Sequence, residues 1–204
     1  MKKQAIKLPQ FANAQAGYIL FIIVFLLFAT GGSIVASAIE NEDGRTLLKT
    51  IGGYITDVEN QTQSINVFNS IINNSKYFLI MLLFGMTVLG VAAIPICIAI
   101  KSFAFSFTVS VFVKLYGAKG ALLAFACVGV QNLLLIPCLL IVSTEFLLIS
   151  YGIINKKAAI KKTPEYTKQL TIKLTICVVL IIMSVVCEIF LAPKLIEWIA
   201  PMLQ

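Results

Sequence analysis

Residues 75–155 form a stretch of some eighty residues whose charges are limited to Lys76, Lys101, Lys114, Lys119 and Glu145. At its heart lies Val130-Gln131-Asn132-Leu133-Leu134-Leu135-Ile136-Pro137, two amides and a proline among aliphatic side chains. An unpaired amide in hydrocarbon costs several kcal/mol, so such a pair needs partners in a packed interior. A chain of this kind folds inside a membrane. Across all 204 residues 59% are apolar, 12% are charged and the mean hydropathy is +0.97, more apolar surface than a water-soluble fold of this size hides.

Hydrocarbon about 30 Å thick takes roughly 20 apolar residues of helix to cross. Four windows reach that length, residues 18–39, 77–100, 133–154 and 174–192. Between the second and third lie residues 102–116 and 120–130, joined by Gly117-Ala118-Lys119 and each short for a crossing. Together they read as one broken crossing.

Lysine placement orients the spans, because cytoplasmic loops collect Lys and Arg. Lys2, Lys3 and Lys7 precede the first span, whereas residues 40–76 carry five acids against three bases and suit the outside. Lys156, Lys157, Lys161, Lys162, Lys168 and Lys173 make residues 155–173 a basic cytoplasmic loop. The expectation is an all-α polytopic membrane helix bundle of about five transmembrane spans with a broken third crossing, a single domain over 1–204. Its N-terminus is cytoplasmic and its C-terminus outside. The apolar window 18–39 begins too late and runs too long for a signal peptide, so it reads as an uncleaved anchor.

The net charge of +7 resides largely in these anchors, and no basic patch interleaved with aromatics accompanies it, which argues against nucleic-acid binding. Attraction to anionic membrane lipid is its natural consequence. All five cysteines fall inside apolar windows without CxxC spacing, and the chain has no histidine. No metal, cofactor or Ser-His or Cys-His nucleophile is expected, nor does any glycine pair sit in a phosphate-loop frame. The chain reads as a non-enzyme.

Buried polarity carries the remaining signal. Gln131, Cys138, Glu145 and Gly152 recur every seven residues and form one stripe on a helix. Ser102, Ser106, Ser110 and Lys114 recur every four, a row that lets another helix come close. Gly85, Gly90, Gly31, Gly32, Ser33 and Ser37 add small residues for the same purpose, whether within the chain or in a homo-oligomer. Glu145 is an ionisable group inside a span and so marks a site; its structural reading is a contact with Lys101 or Lys173. Glu188 lies near the outer end of the last span, within reach of headgroups. Outside the spans, Leu47, Leu48, Ile51, Tyr54, Ile55 and Val58 give an amphipathic helix in the extracytoplasmic loop 40–76. Leu195, Ile196, Trp198, Ile199 and Met202 suit the outer interface.

Several runs in order, from Gly85-Met-Thr-Val-Leu-Gly90 through Lys101-Ser-Phe-Ala-Phe and Lys119-Gly120 to Gln131-Asn132 and Ile136-Pro137, resemble the stage II sporulation protein M family. The resemblance is best over residues 85–151. Val130 departs from the family's proline, and Ser106 and Ser110 from its small glycines. It implies a non-enzymatic protein of the mother-cell membrane in endospore formers, located at the septum and around the forespore. Its partners would be stage II sporulation proteins D and P, which degrade peptidoglycan during septal thinning and engulfment. Gly85, Gly90, Lys101, Lys119, Gly120, Gln131, Asn132 and Pro137 carry over as fold-defining or interface positions. A membrane subunit of a small-solute transporter or channel is the alternative, suggested by the broken crossing, the buried amides and Glu145.

Overall fold

The computed structural model describes residues 14–39, 67–154 and 164–203, and it is helical almost throughout. The helices are α1 (Ala14–Ser37), α2 (Val67–Gly85), α3 (Gly90–Ala124), α4 (Val130–Ile154), α5 (Pro164–Val186) and α6 (Ala192–Leu203). A π-helical turn at Phe125–Gly129 joins α3 to α4, and another at Cys187–Leu191 joins α5 to α6. No strand occurs among the described residues. Among the described residues three helical stretches are long and apolar enough to cross a membrane, namely Gln15–Ser37, Gly90–Ile154 and Thr167–Ile196. The chain is an all-α membrane bundle.

The middle stretch does not run straight. Gly117 has φ 60° and ψ −139°, a backbone conformation that a Cβ disfavours, and the chain folds back there. Its return is tight, for a Cβ on Gly120 would collide with the backbone of Phe112. Side-chain pairings then set the directions. Residues 25, 33 and 37 of α1 meet 102, 106 and 114 of α3, so these helices run parallel. Residues 131, 138 and 145 of α4 meet 184, 177 and 173 of α5, so these run antiparallel. With α2 turned back on α3, five lengths of helix lie side by side.

The second window was expected to be one crossing over residues 77–100, and here the structure differs. Residues 86–89 form a turn, closed by Thr87 N–H to the Phe84 carbonyl (2.9 Å) and Gly90 N–H to the Thr87 carbonyl (3.2 Å). The turn satisfies its own backbone, so an apolar sequence tolerates it. Consequently α2 starts at Val67, inside the segment expected as loop. The third length is the unbroken helix to residue 116, and the break at Gly117 ends it instead of dividing it. The basic segment 155–173 is likewise shorter than expected, because Pro164 occupies the first helical position, where its missing N–H costs nothing, and Lys168 and Lys173 ride on α5. The amphipathic pattern at residues 47–58 lies outside the described residues.

Two hydrophobic cores result. The larger, around Phe21, Met81, Ile94, Leu135, Val142 and Phe146, fills the five-helix body. A smaller one gathers Phe112, Leu123, Ala124 and Ala126 against Ile196 and Ile199 of α6. It sits at the end where α3 turns back, and Trp198 stands outside it, 65% exposed. Many large apolar side chains, Leu27, Ile34 and Leu83 among them, face outward, as a lipid-facing surface requires.

Candidate functional site

With lipid as apolar as any core, close packing and polar contacts hold helices together in a membrane. The α1–α3 seam has both. A Cβ on Gly32 would come within 2.5 Å of the Phe103 carbonyl oxygen and 3.0 Å of the Phe107 nitrogen, so only glycine fits that crossing. Beside it Ser33 Oγ lies 3.0 Å from Ser106 Oγ and 2.7 Å from Ser110 Oγ. Ser102 Oγ donates to the Phe25 carbonyl (2.6 Å), and Lys114 Nζ donates to the carbonyls of Ser37 and Ile39 (both 2.7 Å). An ammonium at a helix C-terminus satisfies orphan carbonyls and opposes the negative end of the helix dipole. The four-residue row from Ser102 to Lys114 is thus one continuous polar seam.

The seven-residue stripe on α4 faces α5. Cys138 and Cys177 each direct a thiol to the other's carbonyl, at 3.6 and 3.7 Å, and Ser184 Oγ donates to the Gln131 carbonyl at 3.2 Å. Glu145, 3% exposed, forms an ion pair with Lys173, whose outer part reaches solvent or headgroups. Lys101 does not join it. Its Nζ lies instead 5.4 Å from the centroid of the Tyr77 ring.

Gly85 and Gly90 flank the turn at residues 86–89 and are both tightly enclosed. A Cβ on Gly85 would lie 2.5 Å from Phe146 Cβ, and one on Gly90 would lie 2.5 Å from the Phe84 carbonyl oxygen. Ser150 Oγ donates to the Thr87 carbonyl at 2.5 Å and pins the turn to α4. Pro137 lies within α4, exposed, and Lys119 is exposed at the Gly117 fold-back. Gly120 is buried in it.

Asn132 is 1% exposed and donates Nδ2 to the Val128 carbonyl (2.7 Å), while its Oδ1 has no hydrogen-bond partner. Such an acceptor costs roughly 1–3 kcal/mol when left unmatched. It adjoins the π turn at Phe125–Gly129, where the N–H of Val130 reaches back to Phe125. The companion π turn sends the N–H of Ala192 to Cys187 and carries Glu188, which accepts from Asn74 Nδ2 at 2.5 Å. The Asn74–Glu188 contact, the end cap by Lys114 and the Lys101–Tyr77 contact were missed from sequence. The four-residue spacing of Ser70 and Asn74, both buried, was a usable sign of a buried face on α2.

The predicted residues therefore do not converge on one centre. Gly85, Gly90 and Glu145 gather at one end of the bundle, Gly120, Gln131 and Asn132 at the other, and Lys101 lies between. No group of three or more acids and cysteines that could hold a metal comes together among the described residues. Chemically, the arrangement braces helices and shapes the two ends.

Comparison with curated proteins and with solved structures returns no match. The family profile described as Stage II sporulation protein M matches residues 19–193, from within α1 to the first turn of α6. All the braced seams fall inside that range, and the chain belongs to the stage II sporulation protein M family, which has a role in sporulation.

Proposed function

We propose that this protein is a non-enzymatic membrane scaffold of endospore formation. It recruits stage II sporulation proteins D and P, which degrade peptidoglycan, and holds them at the sporulation septum while the septal wall thins and the mother-cell membrane engulfs the forespore. The observation that carries this reading is the family match over residues 19–193. The polar seams support it, since a scaffold needs a fixed shape more than a solute path, and the ion pair of Glu145 with Lys173 serves that shape. By the positive-inside rule the basic segment 155–173 reads as cytoplasmic and the C-terminal end as outside, on the side of the wall, which supports the reading. Catalysis belongs to the partners.

The test is a gentle-detergent pull-down of the tagged protein from sporulating cells, with mass spectrometry of what accompanies it. Enrichment of wall hydrolases over other abundant membrane proteins is the expected result. Recovery of a nucleotide-binding or solute-binding subunit in their place would instead make the protein part of a transporter.

A further inference from the structure

Four helices each turn a row of buried side chains toward the bundle interior, and each row changes from hydrocarbon to polar on going toward the end where α3 turns back. On α2 the row runs Met81, Phe78, Asn74, Ser70, and on α4 it runs Phe146, Val142, Leu139, Leu135, Asn132, all buried at steps of three or four residues. On α5 it runs Cys177, Ile181, Ser184 and then, on the π turn, the half-buried Glu188. On α3 the buried Ile94 and Ile98 are followed by Lys101, half-buried. Polar groups at such positions are costly in a membrane unless they meet one another.

Contacts between the helices place the polar ends of the four rows at one level. Glu188 accepts from Asn74 Nδ2 at 2.5 Å, and Ser184, one turn before Glu188, donates to the carbonyl of Gln131, the neighbour of Asn132, at 3.2 Å. Lys101 lines a small cavity with Ile136 and Leu139, which share a face of α4 with Asn132, and its Nζ lies 5.4 Å from the centroid of the Tyr77 ring, three residues from Asn74. The Glu188 carboxylate attracts the Lys101 ammonium across the interior, with no direct ion pair between them among the described residues.

Asn132 supplies the unmatched group at this level. Its Nδ2 donates to the Val128 carbonyl (2.7 Å), which fixes the orientation of the amide, since the flipped amide would set two acceptors against each other. Its Oδ1, on a side chain 1% exposed, is thus an acceptor without a protein donor among the described residues. A bound cation would meet the Lys101 ammonium and a bound anion the Glu188 carboxylate. Water suits all three groups, because it donates to Oδ1 and to the carboxylate and accepts from the ammonium. We propose that the interior of the bundle holds a water-binding site at this level, anchored by Asn132, Lys101 and Glu188, and that its water joins the charges of Lys101 and Glu188 across the bundle. Three polar partners are the usual complement of a buried water. The site is separate from the scaffold reading, and either can fail without the other.

The experiment exposes the unaltered full-length protein, in mild detergent, to a brief X-ray pulse that splits bound water into hydroxyl radicals, and locates the oxidised side chains by mass spectrometry. Leu135, one turn from Asn132, should be oxidised several-fold more than Phe146, which is equally buried at the apolar end of the same row and carries the more reactive side chain. Asn132→Leu should return Leu135 to the level of Phe146. Thermal melting of N132L, Lys101→Met and the double variant then separates the site from the bond to Val128. Two residues that anchor the same water are coupled, so the double variant should fall short of the summed shifts by roughly 2–4 °C. Leu135 as silent as Phe146 in the unaltered protein would overturn the proposal. So would additive melting shifts, the result expected if Asn132 served Val128 alone.

Discussion

Helices α1 and α3 are zipped from end to end, whereas a groove opens between α2 and α5, with a polar link from Asn74 to Glu188 on the π turn after α5. Both seams are rich in aliphatic residues, so hydrophobicity does not separate them. Residue size and hydroxyl placement do. Gly32, Ser33, Ser102, Ser106 and Ser110 let two backbones approach and then bond, while Ile72, Leu79, Val178 and Ile182 line a groove between theirs. In a solvent as apolar as the side chains, bulk pushes helices apart unless shapes interlock. The closed seam braces the bundle, and the open one leaves a groove of about 700 Å³.

The most damaging change to the closed seam is Gly32→Leu, which drives a side chain into the α3 backbone. A cost of about 3 kcal/mol or more is expected, at the upper end for overpacking, read as loss of folded protein in membranes and a lowered melting temperature. Next is the brace between α4 and α5. Lys173→Ala removes the cation paired with a buried carboxylate and should cost about 2–3 kcal/mol, discounted because Lys173 is 38% exposed; Glu145→Gln should cost less, since the ammonium it leaves can reach the interface. Equal losses in thermal melting would show that the carboxylate is not enclosed. Lys114→Met removes two bonds to the end of α1 and should cost about 1–2 kcal/mol, with faster proteolysis near residues 37–39 as the local sign. Ser106→Ala removes one of two bonds from Ser33 and should cost only about 0.6 kcal/mol. Smallest of all, Ile182→Trp in the open seam should leave the melting temperature unchanged.

Much of the closed seam was legible in advance. The Ser102 to Lys114 row and the Gln131, Cys138 and Glu145 positions of the seven-residue stripe mark real helix contacts, because four- and seven-residue spacings survive whatever the tertiary context. The glycine at the head of the Gly117-Ala118-Lys119 break adopts the positive φ that ends the third length. What the hydropathy pattern concealed was the turn at residues 86–89. Its Met, Val and Leu are as apolar as a span, and two glycines five residues apart were its only trace. Missing that turn moved Lys101 to a presumed membrane boundary, where it was a possible partner for Glu145; in the structure it lies within α3 beside Tyr77. The start of α2 was missed for the opposite reason, as the polar run from Asn69 to Lys76 looks like loop until its buried face, Ser70 and Asn74, is seen against the bundle.

Disulfide cross-linking in native membranes tests the contrast between the two seams most directly, using a version of the protein whose five native cysteines are replaced by alanine. Ser33→Cys paired with Ser110→Cys, at positions whose hydroxyls now lie 2.7 Å apart, should cross-link nearly completely under mild oxidation. Ile72→Cys paired with Ile182→Cys, across the groove, should stay reduced. Efficient cross-linking of the second pair and none of the first would contradict the account.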